Sequence, residues 1–124
     1  MTDLIEVQTS DLAGAALDWA VAQVEGIGVA IAEPHYGTGW RVYRPESGGK
    51  YSPSTDWAVG GLLLVKHQVN LHSPQHSDDC WAAWVTVRGN DYCHGGYQAL
   101  LAVCRAIVAV KLGNTVQVPK ELIQ

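Results

Sequence analysis

The longest apolar stretch lies near the C-terminal end, where Gln98 to Leu112 is interrupted by polar side chains only at Gln98, Arg105 and Lys111. This pattern predicts a long helix that must be covered on more than one side. Gly95 and Gly96 open the unit, Gly113-Asn114 supplies a left-handed stop, and Thr115 to Val118 alternates as a strand that Pro119 ends. Nearer the N-terminus, Ser10 is placed to cap a first helix, with Asp11 at the positive end of its dipole. Ala13, Leu17, Ala20, Val21 and Val24 form an apolar stripe on that helix. Asp11, Ala15, Asp18, Ala22 and Glu25 form the opposite one, and the helix stops near Gly26. Gly14 and the small residues Ala13, Ala16 and Ala20 suggest close backbone packing.

Between these helices the period shortens. Gly28 to Glu33 and Trp40 to Arg44 read as the strands of a hairpin, joined by the turn-rich PHYGTG. Pro45 to Pro53 reads as an exposed loop. Ser54 or Thr55 then caps a short helical segment, Asp56 to Val59, that Gly60-Gly61 breaks. Leu62 to His67 resumes as a turn of helix, and Gln68 to His72 reads as a strand. Ser73 to Asp79 is a polar loop. Trp81 to Arg88 is a strand, which Gly89-Asn90 turns toward the last helix. The order predicts one α+β domain over residues 1–124, with two main helices packed on one face of a small antiparallel sheet.

Composition adds constraints on partners. Hydrophobic residues make up 48% and charged residues 16%, a balance that points to apolar surface hidden in a homo-oligomer or a ligand site. The net charge of −4, with Lys and Arg scattered, leaves no electrostatic footprint for nucleic acid. The odd number of cysteines (three), the lack of a signal peptide and the shortness of the apolar runs predict a protein of the reducing host cytoplasm, without membrane contact. Five Trp, five Tyr and no Phe mean that every such ring carries a polar handle, a usage that suits pockets and interfaces.

Two segments stand out as candidate ligand-binding sites. In YSPSTDW, Tyr51 to Trp57, Pro53 holds Ser52 extended, and Ser54, Thr55 and Asp56 crowd three acceptors into one turn. Trp57 offers a flat face beside them, and Gly60-Gly61 allows close approach. The same residues also suit a purely structural role, with Ser54 as cap, Asp56 at the helix start and Trp57 in the core. In the second segment, His94, Gly95, Gly96 and Tyr97 precede the long helix, where amides exposed by glycine suit a phosphate or carboxylate. Arg105 is expected to pair with a carboxylate or to reach a pocket from the sheet side. His72, His76 and Cys80 lie at four-residue intervals, but Pro74 disfavours the helix that would gather them for a metal. Cys93 beside His94 lacks an oxyanion-hole motif, and Cys104 reads as a small buried hydrophobe.

Three blocks together resemble the NinX-like family of small phage-encoded proteins. They are DLAGAALDWAVAQVEG at residues 11–26, YSPSTDWAVGG at residues 51–61, and the run from Val103-Cys104-Arg105-Ala106 through Leu122. The chain departs from the family pattern at Leu62, where Pro is common, and at Gly96-Tyr97, where a Thr-Pro step is common. The resemblance implies a phage or prophage accessory protein. With no catalytic, metal or cofactor constellation, the expectation is a non-enzymatic protein that sequesters a small nucleotide-like anion or a host partner, in counter-defence or regulation. An accessory factor in recombination or replication and a small hydrolase or nuclease are the alternatives.

Overall fold

The computed structural model describes residues 3–123. Its centre is helix α3, Ala99–Leu112, in which every residue from Ala99 to Ala109 is buried except the half-buried Arg105. Coverage from several sides is what its sequence demands, and one chain supplies it. Strands β5, Trp81–Val87, and β6, Asn90–Gly96, pack on one side of α3. Helix α1, Gly14–Glu25, and helix α2, Trp57–Lys66, pack on others. Leu17 and Val21 of α1, Val103 and Ile107 of α3, Ala83 of β5 and Val118 of the last strand meet in one core.

All strand pairing is antiparallel, but it forms three small sheets rather than the single one expected. Strand β1, Leu4–Gln8, pairs with β7, Thr115–Pro119. The hairpin of β2, Ala30–Ala32, and β3, Arg41–Tyr43, stands alone. Strand β4, Asn70–His72, joins β5 and β6. The picture of two helices on one sheet therefore gives way, among the described residues, to three helices and three small sheets.

Several local expectations are corrected. Ser10 and Asp11 belong to a 3-10 turn, Thr9–Asp11, and α1 begins only at Gly14, after Ala13. Gly14 has φ +56° and open space around the position a Cβ would take, so conformation requires glycine there and packing does not. The polar stripe of α1 is not a solvated face, because Asp18 and Ala22 are buried and the Glu25 side chain is 5% exposed. Pro45 to Lys50 is exposed as expected, but Tyr51, Ser52 and Pro53 are buried. Helix α2 runs unbroken through Gly60-Gly61, with Asp56 rather than Ser54 or Thr55 as its N-cap, accepting the Ala58 amide at 3.0 Å. A Cβ on Gly60 would lie 2.3 Å from the Pro53 carbonyl oxygen and 2.8 Å from Leu100, so glycine there lets α2 seat against the turn and α3. The turn after β5 consists of Arg88 and Gly89, both at positive φ, and leads into β6 rather than into the helix.

Candidate functional site

The YSPSTDW turn is half core and half rim. Tyr51 is 3% exposed, its amide donates to the Val42 carbonyl at 2.9 Å, and burial pushes its hydroxyl pKa up. The Ser54 amide donates to Asp18 Oδ1 at 2.9 Å, tying the turn to α1. The Ser54 hydroxyl lies near the same carboxylate but makes no hydrogen bond of good geometry. Thr55, Asp56 and Trp57 then emerge, and Trp57 is 56% exposed, so its ring does not fill the core.

A cleft of about 370 Å³ separates this rim from the start of α3. Ser54, Thr55 and Trp57 line one side, while Tyr97, Gln98, Ala99 and Leu100 line the other, with Trp81 between them. Tyr97 is 74% exposed. The N-cap of α3, Gln98, makes no side-chain hydrogen bond to its first turn. The two segments singled out in the sequence therefore share one cleft.

Two further clefts continue it. One, of about 210 Å³, lies between α1, the β2–β3 hairpin and Thr55, with Asp18, Trp40, Arg41 and Lys50 in its walls. The other, of about 450 Å³, includes Gly14, Gly39, Trp40 and Tyr97. Thr55 belongs to the first and second clefts, Tyr97 to the first and third, and Gly14 and Trp40 to the second and third. The three clefts are neighbours on one surface, linked in pairs by these shared residues, and together they make up a groove.

Of the ten residues expected at a site, Ser54, Thr55, Trp57 and Tyr97 come together in this groove. The other six do not line it. Tyr51 lies in the core and Asp56 is occupied as a cap. Gly95 and Gly96 are the last residues of β6, paired with Ala82 and Trp81. A Cβ on Gly96 would lie 2.9 Å from Leu101 and 3.0 Å from the Ala102 amide, so this glycine brings sheet and helix together rather than presenting amides to an anion. Arg105 donates from Nε to the Leu12 carbonyl and from Nη1 to the Gly95 carbonyl, each at 2.8 Å. The guanidinium clamps backbone and meets neither a carboxylate nor the groove. His94 is half-buried on the sheet, and burial together with Arg105 lowers its pKa. Cys93, its neighbour along the strand, is exposed, and successive strand side chains point to opposite faces. Among the described residues no group of three or more His, Cys, Asp or Glu could hold a metal ion.

Asp18 is one of several groove residues that the sequence did not flag, with Trp40, Arg41, Lys50 and Trp81. It is 4% exposed, and burial raises its pKa to about 6, against partial relief from the Ser54 amide, the nearby Ser54 hydroxyl and Lys50. The available signal was an Asp seven residues before Glu25 on a helix whose neighbouring positions are nearly all apolar. That pattern fits a buried carboxylate as well as a solvated stripe.

The fold and groove define a small mixed α/β protein with an open, multi-lobed surface site. The chain belongs to the bacteriophage P22 NinX family, which it matches over residues 8–111. It is therefore a phage protein of the NinX type. The match spans the β2–β3 hairpin and residues 73–79, which the three resembling blocks left out, and it stops before β7. No curated protein matches the chain. Among the described residues, no helix is long and apolar enough to cross a membrane.

Proposed function

We propose that this phage protein is a non-enzymatic accessory factor that sequesters a small nucleotide-like anion, serving counter-defence or regulation in the infected cell. The observation that carries this reading is the shared cleft. Two exposed rings, Trp57 and Tyr97, flank the first turn of α3. Exposed aromatic faces stack on bases, and helix N-terminal amides favour anions. The exposed Thr55 side chain adds a hydrogen-bonding group at the rim. Leu62 and Val65, exposed on the outer side of α2, are the surface we assign to self-association into a homo-oligomer.

Native mass spectrometry of the protein purified from infected cells tests both parts. The expected result is a retained small ligand, returned chemically intact on denaturation, and more than one subunit. Replacing both rings, Trp57→Ala with Tyr97→Ala, should lower ligand affinity about tenfold or more. Turnover of nucleotides by the purified protein would replace sequestration with catalysis. Undiminished binding by the double variant would move the site out of this cleft.

A further inference from the structure

The cleft between α1 and the β2–β3 hairpin holds chemistry that stacking and helix amides leave unused. At its base lies Asp18, whose Oδ1 accepts the Ser54 amide, with no cation in ion-pair range among the described residues. Arg41 and Lys50 share the cleft with it, and Arg41 Nε is buried without a hydrogen-bond partner among the described residues. Trp40 contributes an aromatic wall.

Charge decides what fits. A buried carboxylate wants N–H donors, yet a cationic donor would be repelled by Arg41 and Lys50. A simple anion would suit those two residues and be repelled by Asp18. A ligand that satisfies both carries uncharged N–H donors at one end and negative charge at the other. A nucleotide has this polarity. Among the bases, adenine and cytosine set a ring acceptor beside their amino group, and uracil sets carbonyls on both sides of its single N–H. Guanine alone presents two adjacent donors on one edge, which matches the two oxygens of a carboxylate.

We infer that this cleft reads the base of a guanine nucleotide, with Asp18 accepting its N1–H and 2-amino donors and Trp40 flanking the ring. The phosphate then passes Thr55, the residue common to both clefts, within reach of Lys50 and the first turn of α3. This assignment rests on the proposed nucleotide-like ligand, but it seats the base on Trp40 in the neighbouring cleft and leaves Trp57 and Tyr97 to flank the ribose and phosphate. Titration calorimetry of the full chain with the monophosphates of guanosine, inosine, adenosine and uridine tests it. Guanosine monophosphate should bind tightest. Inosine monophosphate, which lacks the 2-amino group, should bind about tenfold more weakly or worse, as should the others. Asp18→Asn should lose that preference while still binding nucleotide through the neighbouring cleft. If the variant fails to fold, the base ranking on the unaltered chain decides alone. Equal affinity for all four bases overturns the guanine assignment and leaves the nucleotide reading standing. Absence of binding by any of them overturns both.

Discussion

Asp18 and Glu25 stand two turns apart on one side of α1, and both carboxylates are almost out of water. At Glu25 burial alone would raise the pKa, but hydrogen bonds from Lys66 and His67, at 2.6 and 2.7 Å, outweigh it and the net shift is downward. At Asp18 the Ser54 amide and a more distant Lys50 do not compensate, and the pKa rises to about 6. The same chemistry on the same helix face thus has two uses. Closed off by Lys66 and His67, the carboxylate links α1 to the end of α2. Left beside a cleft with the Ser54 amide as its hydrogen-bond partner, it carries a burial cost at neutral pH that no ion pair among the described residues offsets.

The largest test of this contrast is Asp18→Asn. An amide oxygen can still accept from Ser54, so the substitution removes the buried charge and keeps the link. The sign follows from proton binding. A folded pKa of about 6 against 3.8 means that the folded state holds the proton more tightly. The stability this gives is fully present below about pH 4 and is lost as pH rises through 6. At pH 8 the variant should therefore exceed the natural chain by up to about 3 kcal/mol. Urea unfolding between pH 4 and 8 should show the two curves converging at the acid end. A variant less stable throughout would mean that Asp18 is structural like Glu25.

Glu25→Gln should do the reverse. Because the folded pKa is lowered, the contribution of Glu25 is present above its ordinary 4.5 and is lost as pH falls through the folded value. At pH 7 the variant should lose about 1–2 kcal/mol, and the difference should close in acid. Most of the loss belongs to the half-buried His67, since the Lys66 side chain is 62% exposed and screened by water and salt. Raising the salt concentration should therefore remove only a minor part of the effect. A loss that vanished in high salt would assign the link to Lys66 instead.

The elements that the sequence made legible are those with a strong local signal. Apolar continuity marked α3, and the turn-flanked strands marked the β2–β3 hairpin. Strand β6 was not legible, because Asn90, Asp91, Gly95 and Gly96 are poor strand formers and only pairing with β5 makes them extended. Strand β1 exists through its pairing with β7, at the far end of the chain. The candidate site was half legible. Exposed, ligand-suited side chains at Thr55, Trp57 and Tyr97 could be named from local chemistry. The roles of Asp18 and Arg105 depend on distant partners, Ser54 and Leu12, which spacing along the chain does not bring together.

The smallest effect is expected at a third carboxylate, Asp56, which is exposed and neither closed off by cations nor open to the groove. Its side chain accepts the Ala58 amide, as the N-cap of α2. Asp56→Ala should cost about 1 kcal/mol, seen as a few degrees in Tm, and Asp56→Asn should restore most of it, because asparagine caps about as well. Nucleotide affinity should stay unchanged in both variants, since Asp56 does not line the cleft. Within the seven-residue block, Thr55 and Trp57 would then face the ligand, while Asp56 between them serves the helix. If Asp56→Ala instead weakened binding while Asp56→Asn did not, the positioning of Trp57 by the cap would be part of the site, and the boundary between fold and function would lie inside α2.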